Sequence, residues 1–169
     1  MQFVALTATA RARVGKATAK KLRAAQRIPA IVYGGALGPV AVAVSRRELR
    51  MLLRAQAGRN VLIDLTIAGL GDGPRKVLLK ATQADPIDGG LIHADFQEIR
   101  LDQKIRVGLP VQVFGEAAGV KSKGGLLTQH LRELLVECLP TAIPDAVRVD
   151  VTPLDLGDAL HVRDLAVPE

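Results

Sequence analysis

Tryptophan is absent from these 169 residues, and tyrosine and phenylalanine together occur four times. A core here cannot be built on aromatic rings. Since 49% of the residues are apolar, its volume must come from Val, Leu, Ile and Ala. Where the β-branched members alternate, that composition favours strands. Cysteine occurs once, as Cys138, which excludes an internal disulfide. Its strand-like surroundings, Leu134 to Leu139, point to a buried and inert thiol. Serine occurs twice (Ser45, Ser122) and histidine three times (His93, His130, His161). The GxSxG elbow, the P-loop and paired cysteines are all missing, so catalysis has little to work with. No apolar run approaches the length of a membrane span. The start, MQFVALTATARARVGK, has no basic stretch followed by an unbroken apolar one, so it does not read as a secretory signal. A cytoplasmic protein follows by elimination.

Acids are scarce where bases are dense. Residues 1–60 hold 12 Lys and Arg against one acid, Glu48, or +11. The remainder holds 11 bases and 16 acids, or −5, and the sum is the net +6. A cation of that size spread over sixty residues indicates a polyanionic partner more than a solvated face.

Residues 2–9 read as a strand and Ala17 to Ala25 as a short basic helix, which Pro29 ends. Ala30–Tyr33 is a strand, Gly34-Gly35 and Gly38-Pro39 a loop, and Val40–Val44 a strand. Ser45-Arg-Arg-Glu48 fits a reciprocal capping box. The helix it starts carries Leu49, Leu52 and Leu53 on one face and Arg46, Arg47, Arg50 and Arg54 elsewhere, and Gly58 ends it. That arginine face reads equally as a solvated surface or as a secondary contact on RNA. Val61, Ile63, Leu65 and Ile67 alternate as a half-buried strand. A turn region spans Gly69 to Pro74. Val77, Leu79 and Ala81 fall on one side of the next strand. Asp85–Gly90 is a loop, and Leu91–Ile99 a strand. The fold class is mainly β with short helices: an N-terminal six-stranded-type β-barrel with two helices, residues 1–96, plus a C-terminal all-β domain, residues 97–169. In the latter, Ile105 to Val113, Arg132 to Leu139 and Val147 to Val151 read as strands. Lys121–Gly125 reads as a flexible basic loop and Leu160–Val162 as a last short strand. The chain stops just after the apolar segment Leu165–Pro168, so the C-terminal domain reads as incomplete at that end.

His93 and Asp95 lie two residues apart, hence on one face of a strand. With no third partner at suitable spacing they make neither a metal site nor a catalytic centre. Gly34-Gly35 and Gly124-Gly125 read as turns before phosphate cradles.

The stretch RARVGKATAKKLRAAQRIPAIVYGG, Arg11 to Gly35, resembles the signature of the bacterial large-subunit ribosomal protein family number twenty-five, the CTC or general stress protein family. QADPIDGGLIHADF, Gln83 to Phe96, is similar to the family's segment ending in His-x-Asp-Phe. GLPVQVFGEAAGVKSKGGLL, Gly108 to Leu127, with Ala142–Pro144 and Leu154–His161, resembles the long, two-domain members. The resemblance spans essentially the whole chain. It implies a non-enzymatic ribosomal protein, a structural constituent of the ribosome in translation, that needs no cofactor. Its N-terminal barrel would bind the loop E region of 5S rRNA within the large subunit. Carried over by position, the RNA-binding residues it implies are Arg11, Lys16, Lys20, Lys21, Arg23, Tyr33, Gln83, His93 and Asp95. Lys20-Lys21 stand where many relatives have arginine, which keeps the charge but loses the bidentate fork. The Asp85–Gly90 loop is less basic than in some relatives. The partner of the C-terminal domain stays open between neighbouring ribosomal proteins and 23S rRNA. No membrane, metal or small-molecule substrate is implied.

Overall fold

The computed structural model describes residues 3–35, 38–55, 60–70 and 73–165. Gly58, expected as a helix end, and the Leu165–Pro168 segment past its first residue lie outside these residues, as do residue 2 and part of the Gly69–Pro74 turn.

Six strands close into a barrel: β1 (Val4–Ala10), β2 (Arg27–Tyr33), β3 (Val40–Ser45), β4 (Leu62–Ala68), β5 (Arg75–Ala84) and β6 (Leu91–Glu98), in the order β1-β3-β2-β6-β5-β4. Closure removes sheet edges, and alternate residues of each strand fill the interior. Ala8, Ile28, Val42, Ile63, Leu65 and Phe96 are all buried there. Phe96 is the one ring in this cluster, so the interior is filled by aliphatic side chains, as the composition requires.

Two helices belong to the barrel. α1 (Lys16–Ala24) links β1 to β2 and packs on β2. Its end is not set by Pro29, which sits inside β2 opposite Ala43. The helix stops because Gln26 takes a left-handed φ of 57°, with the amides of Ala25 and Gln26 donating to Lys21 and Arg23 carbonyls. Proline is tolerated in the strand because pairing with β6 begins only at the next residue, Ala30. α2 (Arg46–Ala55) lies between β3 and β4 and buries Leu49 and Leu52 in the barrel core. Half of its capping box forms: the Glu48 amide donates to Ser45 Oγ at 3.4 Å.

The alternation predicted for β5 and β6 is broken twice. Leu79 pairs with Phe96 but Ala81 with Asp95, so Lys80 is an extra residue on β5. Gln83 pairs with His93 but Ala84 with Leu91, so Ile92 is extra on β6. Each bulge reverses the side on which later residues emerge. Ala81 therefore leaves the side of Val77 and Leu79, contrary to the alternating pattern.

The C-terminal part is a three-stranded sheet ordered β8-β7-β9, from β7 (Ile105–Phe114), β8 (Glu133–Cys138) and β9 (Val147–Asp150). β7 runs antiparallel to β8 and parallel to β9. The segment read as a flexible loop contains a short helix instead, α3 (Ala118–Lys123), closed by Gly124 at φ 67° with the Gly125 amide on the Gly119 carbonyl. Gly119 is required because a Cβ there would lie 2.8 Å from the Leu156 backbone. The last predicted strand is also absent: His161 precedes a 3-10 turn, Val162–Asp164, whose Asp164 carboxylate accepts from the His161 amide.

A second hydrophobic cluster joins the two parts. Leu62 and Leu78, on the outer wall of β4 and β5, pack with Ile99, Ile105, Val107, Leu109 and Val149. Asn60 Nδ2 donates to the Gly108 carbonyl at 3.0 Å and Lys80 Nζ to that of Arg106 at 2.8 Å. Cys138 lies half-buried against this cluster, and burial pushes its thiol above the ordinary value.

Phe96→Ala should cost about 3–5 kcal/mol, read as a shift in the urea midpoint, since nothing else in the barrel can fill its volume. Cys138 should react more slowly with a thiol reagent at pH 8 in the folded protein than in urea, because less thiolate is present.

Candidate nucleic-acid interface

The two bulges decide what faces water. Leu91, Ala94 and Phe96 all point into the barrel core although their spacing does not alternate. The extra residue Ile92 absorbs the difference, and His93 and Asp95 emerge on the outside, each partly exposed. Without the bulge His93 would follow Leu91 inward. The Lys80 bulge does the same for Gln83, which lies opposite His93.

On the other flank of β6, Asp95 lies beside Ile31 and Gln97 beside Tyr33 of β2. Gln83, His93, Asp95, Gln97 and Tyr33 thus share one outer face across β5, β6 and β2. Gln97 was missed by sequence reasoning. Its signal was available: it repeats the two-residue step of His93 and Asp95 on the same strand.

His93 Nδ1 lies 2.9 Å from Asp95 Oδ1. Nδ1 can donate to this carboxylate, which keeps Oδ2 for another donor, and the His93 Nε2 stays open to a further partner. The face therefore offers directional acceptors, an amide pair with both polarities and a phenol. Among the described residues no group of three His, Cys, Asp or Glu gathers to hold a metal ion. No helix of the described residues is long and apolar enough to cross a membrane.

The basic residues divide into two kinds. Arg11 donates from Nε to the Val42 carbonyl at 2.8 Å and from Nη2 to that of Ala30 at 3.4 Å. Burial lowers its pKa. Arg27 bonds Thr9 Oγ1 at 2.6 Å and the Ala43 carbonyl, opposite Pro29, at 3.2 Å. Arg23 Nε donates to the Ile92 carbonyl at 3.2 Å, the residue that the bulge leaves unpaired. Arg46 Nη2 reaches the Leu91 carbonyl at 3.2 Å, while its buried Nε has no partner. Arg46 is thus no member of a solvated face. By contrast Arg13, Lys16, Lys20 and Lys21 are exposed and make no ion pair among the described residues. α1 holds no acid, and no acid occurs in the chain before Glu48.

The glycine pairs are structural. Gly34 has φ 92°, and a Cβ on Gly35 would lie 2.0 Å from Glu98 Oε2. The Glu98 carboxylate, paired with Arg75 at 3.4 Å, occupies the space a phosphate would need. Gly124-Gly125 closes α3, as described above.

Arg23→Gln should lower stability by about 1–2 kcal/mol in denaturant titration without RNA, because the Ile92 carbonyl loses a charged donor. Lys20→Gln should stay within about 0.5 kcal/mol of the parent.

The model of the ribosomal L25p family matches residues 6–96, and that of the ribosomal protein TL5 C-terminal domain matches residues 104–169. A protein of Geobacter sulfurreducens named large ribosomal subunit protein bL25 is 43% identical over 91% of this chain and 78% of its own length. Proteins of the same name from Geobacter metallireducens and Halothermothrix orenii are each 41% identical over 99% of this chain, covering 85% and 75% of their lengths. The chain accordingly belongs to the ribosomal L25p family, whose members are structural, non-enzymatic proteins of the large ribosomal subunit.

Proposed function

We propose that this chain binds 5S rRNA in its loop E region through the outer face of β2, β5 and β6 with α1 beside it. Residues 1–96 would form the RNA-binding domain and 97–169 a second domain seated elsewhere in the subunit. The observation that carries this reading is the pair of bulges, which brings Gln83, His93 and Asp95 to water next to an acid-free basic helix.

Two kinds of contact follow from the chemistry. Lys16, Lys20 and Lys21 neutralise phosphates and displace counterions, which sets affinity and register but reads no sequence. Arg23, fixed at Nε by Ile92, keeps its terminal nitrogens for the RNA. Arg11 is committed to two backbone carbonyls, so its part is chiefly to hold the barrel. Recognition falls to the β face. A run of non-Watson–Crick pairs opens the shallow groove and exposes base edges and 2′-hydroxyls. Asp95 accepts from imino or amino protons there, and a carboxylate among phosphates is tolerated only if it finds such donors. His93 holds Asp95 in place and meets a hydroxyl through Nε2. Tyr33 and Gln97 extend the same face.

Asp95→Ala should leave the fold intact and cut the preference for 5S rRNA over a plain RNA duplex about tenfold or more in a gel-shift titration. Unchanged preference would sink the reading. Replacing Lys16, Lys20 and Lys21 together by Gln should weaken binding to both RNAs. It should also flatten the dependence of log K on log salt by about 2–3.

A further inference from the structure

α2 carries a second basic surface that the β face does not use. Arg47, Arg50 and Arg54 are exposed, and among the described residues none of them has an ion-pair or hydrogen-bond partner. At about 100° per residue the three fall within an arc of about 60° on the helix, and they span about 10 Å along its axis. Leu49 and Leu52, 0% and 6% exposed, lie on the opposite side and fix the helix to the barrel core. Arg46 anchors its first turn to Leu91, and Ser45 accepts from the Glu48 amide. The arginines therefore stand on a held support and not on a loop.

We propose that Arg47, Arg50 and Arg54 form a second, sequence-independent RNA-binding surface that grips the phosphate backbone of one strand of an RNA helix. A line about 10 Å long can reach several successive phosphates of one strand. Guanidinium suits this partner because its planar fork meets two phosphate oxygens at once. Among the described residues of α2 the surface holds one acid, Glu48, and no polar acceptor group suited to reading bases, unlike the β face. An acidic polypeptide is the poorer match. Bare surface ion pairs are worth little, and the apolar side chain beside the arginines on α2 is the exposed Met51. An RNA backbone adds counterion release to each contact. The inference deepens the RNA-binding reading above but uses different residues, so the two can fail separately.

The test uses the full chain in three variants: Arg47→Gln/Arg50→Gln/Arg54→Gln, the corresponding triple Lys variant, and Asp95→Ala. Each is titrated by filter binding against 5S rRNA, a plain RNA duplex and poly-glutamate over a range of salt. Melting curves verify folding, which glutamine and lysine should preserve because both are good helix formers on exposed positions. The Gln variant should bind the plain duplex more weakly and lower the salt slope by about 2–3. The Lys variant should keep the slope. Asp95→Ala should do the reverse of the Gln variant, losing preference at constant slope. A Gln variant with the parental slope and affinity on both RNAs would overturn the proposal. So would parental RNA binding together with lost binding to poly-glutamate. If Asp95→Ala changes nothing while the Gln variant lowers the slope, the β-face reading fails and this one stands.

Discussion

The hydrogen bond from Arg23 to the Ile92 carbonyl sits at the point on which the outer face depends. A bulge must leave one residue out of the ladder, and an unpaired carbonyl in a half-buried place costs free energy unless a donor reaches it. Arg23 supplies that donor from the last turn of α1, and Arg46 does the same one residue earlier from the first turn of α2. Both arginines therefore help the barrel to hold a bulge that a simple ladder would iron out. With the bulge in place Leu91 and Phe96 share the interior while His93 and Asp95 face water.

This gives the positive charge of the first sixty residues two roles. Arg11, Arg23, Arg27 and Arg46 spend donors on main-chain carbonyls or on Thr9, and hold loops and strand ends together. The lysines of α1 and the outer arginines of α2 remain free of such bonds among the described residues and carry the long-range field. Only this second group can release counterions in full. A net charge counts the two alike, which is why charge alone overstates how many phosphates a protein holds.

The barrel was legible in the sequence because β4 alternates cleanly, with Ile63, Leu65 and Ile67 inward and Asp64 and Thr66 outward. The amphipathic α2 was legible for the same reason. Pro29 misled because a proline reads as a break, while the actual break is a left-handed Gln26 with no sequence signature. The apolar pattern puts Ala81 on the wrong side because a bulge at Lys80 leaves no mark in it. The short α3 looks like a loop in the sequence because its glycines suggest flexibility. They serve close packing against Leu156 and the helix stop. For the site, His93 and Asp95 stood out as a pair by spacing alone. The family resemblance supplied the wider set, and the register of β2 against β6 added Gln97.

The wall shared by Leu62 and Leu78 has a mechanical meaning. β5 begins where the barrel leans on the distal sheet and runs on past Gln83, on the outer face that carries His93 and Asp95. One continuous ribbon of backbone thus runs from that polar outer face to the apolar seam beneath Val107 and Leu109. Whatever seats the barrel also sets the bearing of the distal half, much as a rudder turns with its stock.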